Sequence, residues 1–280
     1  MTQSTSSTKL VDAMYDVFKT SKTWFTLSLA LAFTIYVLGV LSAIIVSPKL
    51  VNLLAVGAVV VQMGSFLARL QSEKYYGFGE KIRRLNLLHD GLGAEVSPLE
   101  IAKIFESAGK TKFLKGPASD RYFDSVSPKG PRRLIEHLGE CAFWTSALAK
   151  RVMRIFFALS AFGFLTGIFG LMVLILGEGQ DAHLSSFAKA VVPGLAFWSA
   201  GDVTSTALKY LALTRDAGAV SEKADVLLSD SSKISERAAQ NLMNEYNCAL
   251  AASLPIPDAI HRRNQDLLNE LWSKKDTVTT

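Results

Sequence analysis

Cysteine is scarce in this 280-residue chain, which contains only Cys141 and Cys248. Two isolated thiols, in segments that we place in the cytoplasm, favour reduced cysteines over a disulfide or a zinc site. The sequence also lacks the motifs of phosphate-binding loops, zinc hydrolases, thiol redox sites and serine hydrolases. Its four histidines are scattered, without a second metal ligand at a useful spacing. We therefore expect no metal and no cofactor, and a protein that is not an enzyme.

Charged side chains are absent from two neighbouring runs near the start of the chain, residues 24–46 and 50–68. A helix over the first run is about 34 Å long at about 1.5 Å per residue, enough to cross a hydrocarbon core of about 30 Å. Only Ser47, Pro48 and Lys49 separate the two runs, and proline disfavours helix at the residue before it. Residues 23–69 are therefore predicted to form a transmembrane hairpin.

A second pair of apolar segments is predicted to form another hairpin at residues 152–213. Four residues of its second segment are candidates for a pore or gate: Lys189, Pro193, Gly194 and Asp202. A helix this polar cannot face lipid on all sides, and ionisable residues at membrane depth usually face a bundle interior or a watery cavity. An alternative stays open, because Lys189 and Asp202 lie about 20 Å apart by helical rise and could snorkel to opposite interfaces.

The remaining segments, residues 1–22, 70–151 and 214–280, are polar and are predicted to be largely helical. Lysine and arginine cluster beside the spans on this side, which places both termini and the central insert in the cytoplasm. The same clustering, next to anionic headgroups, explains the net charge of +5 without a DNA or RNA polymer as partner. The sequence thus predicts an all-α integral membrane protein with four transmembrane helices in two hairpins and a helical cytoplasmic layer.

Local signals divide the cytoplasmic segments into separate helices. Ser97, followed three residues later by Glu100, is typical of a capped helix start. Further helices are expected from Pro131 and from Asp258, with a break over residues 229–233. One apolar face near the N-terminus is expected to lie on the inner membrane surface and consists of Leu10, Met14, Val17 and Phe18.

Basic and aromatic residues gather at two places in the cytoplasmic segments. The candidate ligand-binding residues are Arg121, Tyr122, Arg132 and Arg133 in the insert, and His261, Arg262 and Arg263 near the C-terminus. Arginine forks pair bidentately with phosphate and aromatic rings stack on bases, so together these side chains could hold a small anionic nucleotide. The alternative, which the residues alone favour, is that the arginines are helix-surface charges near the headgroups.

Five short segments carry a resemblance to a known family. They are SDRYFDS at residues 119–125, GPRRL at 130–134, EHLGECAFWT at 136–145, NEYNC at 244–248 and PIPD at 255–258. With the order of the predicted spans, they resemble the bacterial four-transmembrane effector family associated with cyclic-oligonucleotide (CBASS-type) anti-phage synthases. The resemblance extends over nearly the whole chain. It implies a pore-forming or membrane-disrupting effector in the bacterial inner membrane, activated by a cyclic nucleotide second messenger.

Activation of such an effector requires a ligand that binds its closed and open states with different affinity. Shifting the ratio of the two states from 1:99 to 99:1 needs about 5.5 kcal/mol. Several sites in a homo-oligomer supply this free energy more easily than one site does, so we expect a homo-oligomer. Two alternatives stay open: a small transporter or channel-like permeation protein without a nucleotide ligand, and a membrane scaffold. The polar fourth segment favours permeation over the scaffold.

Overall fold

The computed structural model describes residues 2–45, 47–109, 123–176 and 203–278, and within these ranges it contains helices and no strand. The α-helices in these ranges are α1 (Thr2–Ile44), α2 (Pro48–Leu87), α3 (Pro98–Ala108), α4 (Pro131–Leu176), α5 (Val203–Ser229), α6 (Glu236–Ala251) and α7 (Asp258–Val278). A five-residue π-helix, Leu88–Leu92, follows α2, and a short 3-10 helix, Ser231–Lys233, separates α5 from α6. The all-α class is therefore confirmed for the described part of the chain.

Two helical segments in the described ranges are long and apolar enough to cross a membrane, judged by length and composition alone: Leu10–Gly39 and Lys49–Leu92. They overlap the predicted hairpin at residues 23–69. Residues 177–202, which include most of the predicted fourth span, lie outside the described residues. Four transmembrane helices therefore stay a prediction.

The expected helix boundaries are confirmed where a cap or a proline defined them. The Ser97 hydroxyl accepts a hydrogen bond from the Glu100 amide at 3.1 Å, and the Glu100 carboxylate accepts one from the Ser97 amide at 3.1 Å. α4 begins at Pro131, α5 ends at Ser229 and α7 begins at Asp258. These signals act over three or four residues, so they determine helix ends without help from tertiary contacts.

The helices form two compact units. The first unit contains Met1–Lys22, Glu73–Arg151 and Lys209–Thr280, and the second contains Thr23–Ser72 and Val152–Leu208. Four helices, α1, α2, α4 and α5, contribute residues to both units.

A hydrophobic core in the first unit contains the N-terminal apolar face. Leu10, Met14 and Val17 are at most 2% exposed and share this core with Ile82 and Ile104. The expectation that this face lies on the membrane surface is therefore wrong. A period of three and four residues shows that a helix has an apolar face but does not show what covers it.

α4 and α5 approach each other closely within the first unit. A Cβ atom added at Gly139 would lie 3.1 Å from the Ala224 Cβ, and one added at Gly218 would lie 3.3 Å from the Ser146 hydroxyl. Ser146 also donates a hydrogen bond to the Thr214 carbonyl at 2.9 Å. Small residues let the two backbones come this near, because larger side chains would hold the helices apart.

The second unit exposes apolar side chains along its helices. On α2, Leu53, Val56 and Val60 are each more than 60% exposed, and Phe162 and Leu165 on α4 are equally open. The most apolar window of the Lys49–Leu92 segment has no buried residue. A core helix of a water-soluble protein would bury such a window, because apolar surface is driven out of water.

Candidate functional site

Part of the predicted site falls outside the described residues. This applies to Arg121 and Tyr122 of the ligand cluster and to all the predicted pore residues, which are Lys189, Pro193, Gly194 and Asp202. Arg132, Arg133 and residues 261–263 lie within the described ranges.

Arg132 and Arg133 occupy the first turn of α4, and each pairs with a carboxylate. The Arg133 guanidinium donates to the Asp90 carboxylate at 2.9 Å and to the Ser127 carbonyl at 2.8 Å. Arg132 forms an ion pair with Glu136, four residues further along the helix, at 3.0 Å. An anionic ligand at these arginines would therefore compete with carboxylates already in place.

Asp90 lies in the π-helix, beyond the predicted hairpin, and is the centre of a group that we call the Asp90 cluster: Asp90, Arg133 and His137. The wholly buried His137 places its Nε2 atom 2.7 Å from the same Asp90 oxygen that Arg133 contacts. Burial alone would raise the pKa of Asp90, but the hydrogen bonds from His137 and Arg133 lower it to about 2. Asp90 is therefore a carboxylate at neutral pH and accepts both hydrogen bonds.

Two neighbouring contacts fix the position of the Asp90 cluster. The Phe123 ring stacks on the His137 ring with centroids 3.9 Å apart. The Gly130 amide donates to the Gly91 carbonyl at 2.7 Å, and a Cβ atom at Gly91 would meet Leu134 at 3.0 Å. Side chains and backbone thus join the π-helix to the start of α4. This arrangement is chemically suited to holding helices together, since its charges are neutralised internally.

The predicted C-terminal cluster has different neighbours. The His261 ring stacks on Trp144 with centroids 5.7 Å apart, and partial burial together with the charge of Lys22 lowers the pKa of His261. Arg262 and Arg263 are exposed on α7. Across the described ranges, no hydrogen bond, ion pair or ring contact joins these residues to Arg132 or Arg133. The described residues of the two clusters are therefore not joined into one site.

A buried polar network surrounds Arg83, which in the sequence is one of the basic residues that follow the first predicted hairpin. Arg83 is 7% exposed, forms an ion pair with Glu80 at 2.5 Å and donates to the Tyr246 hydroxyl at 3.1 Å. Its guanidinium carbon lies 4.6 Å from the centre of the Tyr246 ring, within the range of a cation–π contact. The spacing of Glu80 and Arg83 was the only sequence signal for this pair.

Two hydroxyl pairs extend the network. Thr145 and Tyr246 share a hydrogen bond of 2.8 Å, and Tyr76 contacts the Ser253 hydroxyl at 2.5 Å. The Ser253 hydroxyl also lies within hydrogen-bond distance of the Leu250 carbonyl, at 2.9 Å.

Burial governs how the groups of this network titrate. It raises the pKa of the Glu80 carboxyl, against the opposing effect of Arg83, and it raises the pKa of Tyr246.

No protein-family model, curated protein or solved structure matches the chain.

Proposed function

We propose that the protein is an effector of the bacterial inner membrane that permeabilises the bilayer when its cytoplasmic helices bind a cyclic nucleotide second messenger. The observation that carries the proposal is the open apolar surface of the second unit, where Leu53, Val60, Phe162 and Leu165 are each more than 60% exposed. Lipid is the solvent in which such side chains are stable, because exposing them to water costs about 25 cal/mol per Å² of apolar surface. The resemblance to the CBASS-type effectors supports the signalling role.

The proposed topology has four spans in two hairpins, at residues 23–69 and 152–213. Both termini and the insert at 70–151 are cytoplasmic, because the lysines and arginines flank that end of each span. The first unit is consistent with this arrangement, since Leu10, Ile82 and Tyr246 give it a hydrophobic core of its own. A domain with its own core can remain folded in water beside the membrane.

The proposed permeation element is the fourth span, with Lys189, Pro193, Gly194 and Asp202 facing the conduit. An ionisable side chain at a helix centre costs about 2.5–3.5 kcal/mol when it faces lipid, so Asp202 is expected to face water or a partner. Copies of the chain would assemble as a homo-oligomer around the conduit. Four helices contribute residues to both units, so ligand-dependent repacking of the first unit involves the same helices as the spans.

Flux through liposomes tests the proposal. The full chain is reconstituted into vesicles, and potassium release is followed while a panel of cyclic di- and trinucleotides is added. We expect at least one nucleotide to start release, and Asp202→Asn to change cation preference at equal protein amounts. If none of the nucleotides starts potassium release, the proposed activation is overturned. If the chain stays in the soluble fraction of cells, the membrane assignment is overturned.

A further inference from the structure

A groove in the first unit lies between one face of α2 and the C-terminal part of α6. Its volume is about 420 Å³, within the range of ligand sites. The residues that line it are Tyr76, Gly77, Glu80, Lys81 and Arg84 from α2, and Asn247, Leu250 and Ala251 from α6. None of them belongs to the predicted ligand clusters.

Hydrogen-bond donors and positive charge dominate the polar part of this groove. Lys81 and Arg84 are exposed, and neither has an ion-pair partner within 4 Å among the described residues. The side-chain amide nitrogen of Asn247 is shielded from water, yet no described residue accepts a hydrogen bond from it. Buried donors are normally satisfied, so the Asn247 amide calls for an acceptor outside the described residues, such as a ligand or a water molecule.

Glu80 is the one carboxylate among the described residues that line the groove, and an ion pair with Arg83 holds it in position. Arg83, which is buried, holds it in the 2.5 Å ion pair, and the Nε atom of Arg83 has no hydrogen-bond partner in the described ranges. Arg83 is the main partner of Glu80 and Arg84 adds only a smaller attraction, so Lys81 and Arg84 keep positive charge for a ligand while Glu80 can accept a further hydrogen bond from it. The ring of Tyr76 and the side chain of Leu250 provide an apolar wall beside these groups.

We propose that this groove binds a phosphate ester that carries a hydroxyl or amino group near its phosphate. The phosphate oxygens would accept hydrogen bonds from Lys81, Arg84 and Asn247, because charge-assisted bonds of this kind are the strongest available to phosphate. The hydroxyl or amino group would donate to Glu80, and the remainder would pack against Tyr76. A soluble nucleotide and a glycerophospholipid headgroup both have this chemistry.

Arg132 and Arg133 are less suited to the same ligand. Both are already paired with carboxylates, Glu136 and Asp90, at 3.0 and 2.9 Å. A phosphate would have to displace these partners, whereas Lys81 and Arg84 need lose only water. The inference rests on the proposed function for the expectation that a ligand acts on the cytoplasmic helices, and it relocates that ligand to the groove.

Calorimetry of the full chain in phosphatidylcholine nanodiscs tests the proposal with three probes: adenosine monophosphate, cyclic di-AMP and dihexanoyl phosphatidylglycerol. We expect at least one probe to bind and the Lys81→Ala/Arg84→Ala variant to bind it about a hundredfold more weakly, about tenfold for each lost contact. Asn247→Asp, which keeps the shape and adds a repelling charge, should weaken binding about tenfold. Binding by a nucleotide identifies a soluble ligand, and binding by the lipid alone identifies a headgroup.

The matched control is Lys103→Ala/Arg237→Ala, which removes the same charge from the exposed surfaces of α3 and α6, outside the groove and both predicted ligand clusters. Its affinity should stay within about twofold of the wild type, since exposed charges far from a ligand act weakly. Lys81→Arg/Arg84→Lys should retain binding, because both positive charges are restored. No binding of any probe, or an equal loss in the groove and control variants, would overturn the proposal.

Flux measured on the same proteins separates this inference from the proposed function. Nucleotide binding that depends on Lys81 and Arg84, without potassium release by the wild type, would leave the groove intact and overturn the permeation activity. Release triggered in the wild type and in Lys81→Ala/Arg84→Ala, with unchanged binding, would leave the effector function intact and overturn the groove.

Discussion

Replacing Asp90 with asparagine should destabilise the first unit, because one carboxylate neutralises two donors there. Asp90 accepts hydrogen bonds from Arg133 at 2.9 Å and from His137 at 2.7 Å. Asparagine has nearly the same size, so the substitution removes the charge and weakens both hydrogen bonds without leaving a cavity. The perturbation therefore tests the electrostatic contribution of the Asp90 cluster.

The magnitude follows from the pKa of Asp90. A carboxyl group whose pKa falls from 3.8 to about 2 on folding contributes up to about 2.5 kcal/mol to stability at neutral pH. The side chain of Asp90 is 23% exposed, and screening by water reduces this figure to about 1–2 kcal/mol. A domain of this size loses about 2–4 °C in melting temperature per kcal/mol, so we expect Asp90→Asn to melt about 2–8 °C lower.

The sign of the pH dependence is fixed, because the pKa of Asp90 is lower in the folded state than in the unfolded chain. Its contribution is complete above about pH 5 and is lost as the pH falls through 3.8 toward about 2. The melting temperatures of wild type and Asp90→Asn should therefore differ most at neutral pH and converge in acid. Other carboxyl groups titrate in both proteins, so their effects cancel in the difference.

Thermal melting of the detergent-solubilised full chain at several pH values measures this difference. Glu270→Gln is the control, because it removes a carboxylate whose side chain is 60% exposed and whose pairing with Lys274 lies on the surface of α7. Its melting temperature should match that of the wild type. Asp90→Asn melting with the wild type at neutral pH, or a gap that does not narrow in acid, would refute the electrostatic role of Asp90.

Two further predictions concern packing and burial. Burial raises the pKa of the Cys141 thiol to about 12, whereas Cys248 is exposed. A maleimide at neutral pH should therefore modify Cys141 about a hundredfold or more slowly than Cys248. Equal modification rates of the two cysteines, measured by mass spectrometry, would contradict this prediction. A Cβ atom at Gly79 would lie 2.8 Å from the Phe18 ring, but one at Gly77 would meet nothing within 4 Å. Gly79→Ala should therefore lower the free energy of unfolding by about 1–3 kcal/mol, whereas Gly77→Ala should leave it equal or higher. Equal melting temperatures for the two variants would show that Phe18 moves aside without cost.

Helix ends were predictable because their determinants are local. Ser97 and Glu100 cap α3 through their own backbone and side chains, and Pro131 starts α4 where its missing amide hydrogen costs nothing. The apolar face of Leu10 and Val17 was predicted correctly as a face and wrongly as a membrane contact. A protein core and a membrane surface demand the same spacing of apolar residues, so spacing alone does not distinguish them.

Partners that are distant in the chain were not predictable. Arg83 on α2 donates a hydrogen bond to Tyr246 on α6, and Arg133 donates one to Asp90. The Gly130–Gly91 backbone hydrogen bond joins the same two segments as the Arg133–Asp90 contact. No local pattern brings such residues together, because tertiary packing determines the pairing. In the sequence both arginines have the appearance of surface charges that serve topology or ligand binding.

Internal carboxylates therefore decide which cations remain available to a ligand. Arg83 and Arg133 are neutralised by Glu80 and Asp90, and an anion gains little by replacing such a partner after both charges have been desolvated. Exposure of a cation is not sufficient for ligand binding either, since a lone surface cation binds an anion weakly in water. Lys81 and Arg84 differ from the exposed arginines of α7 because a concave surface and an unsatisfied amide donor adjoin them. Several donors that converge on one concave surface can bind phosphate more tightly than the same charges spread over a helix, which is why the groove is the stronger candidate for recognition.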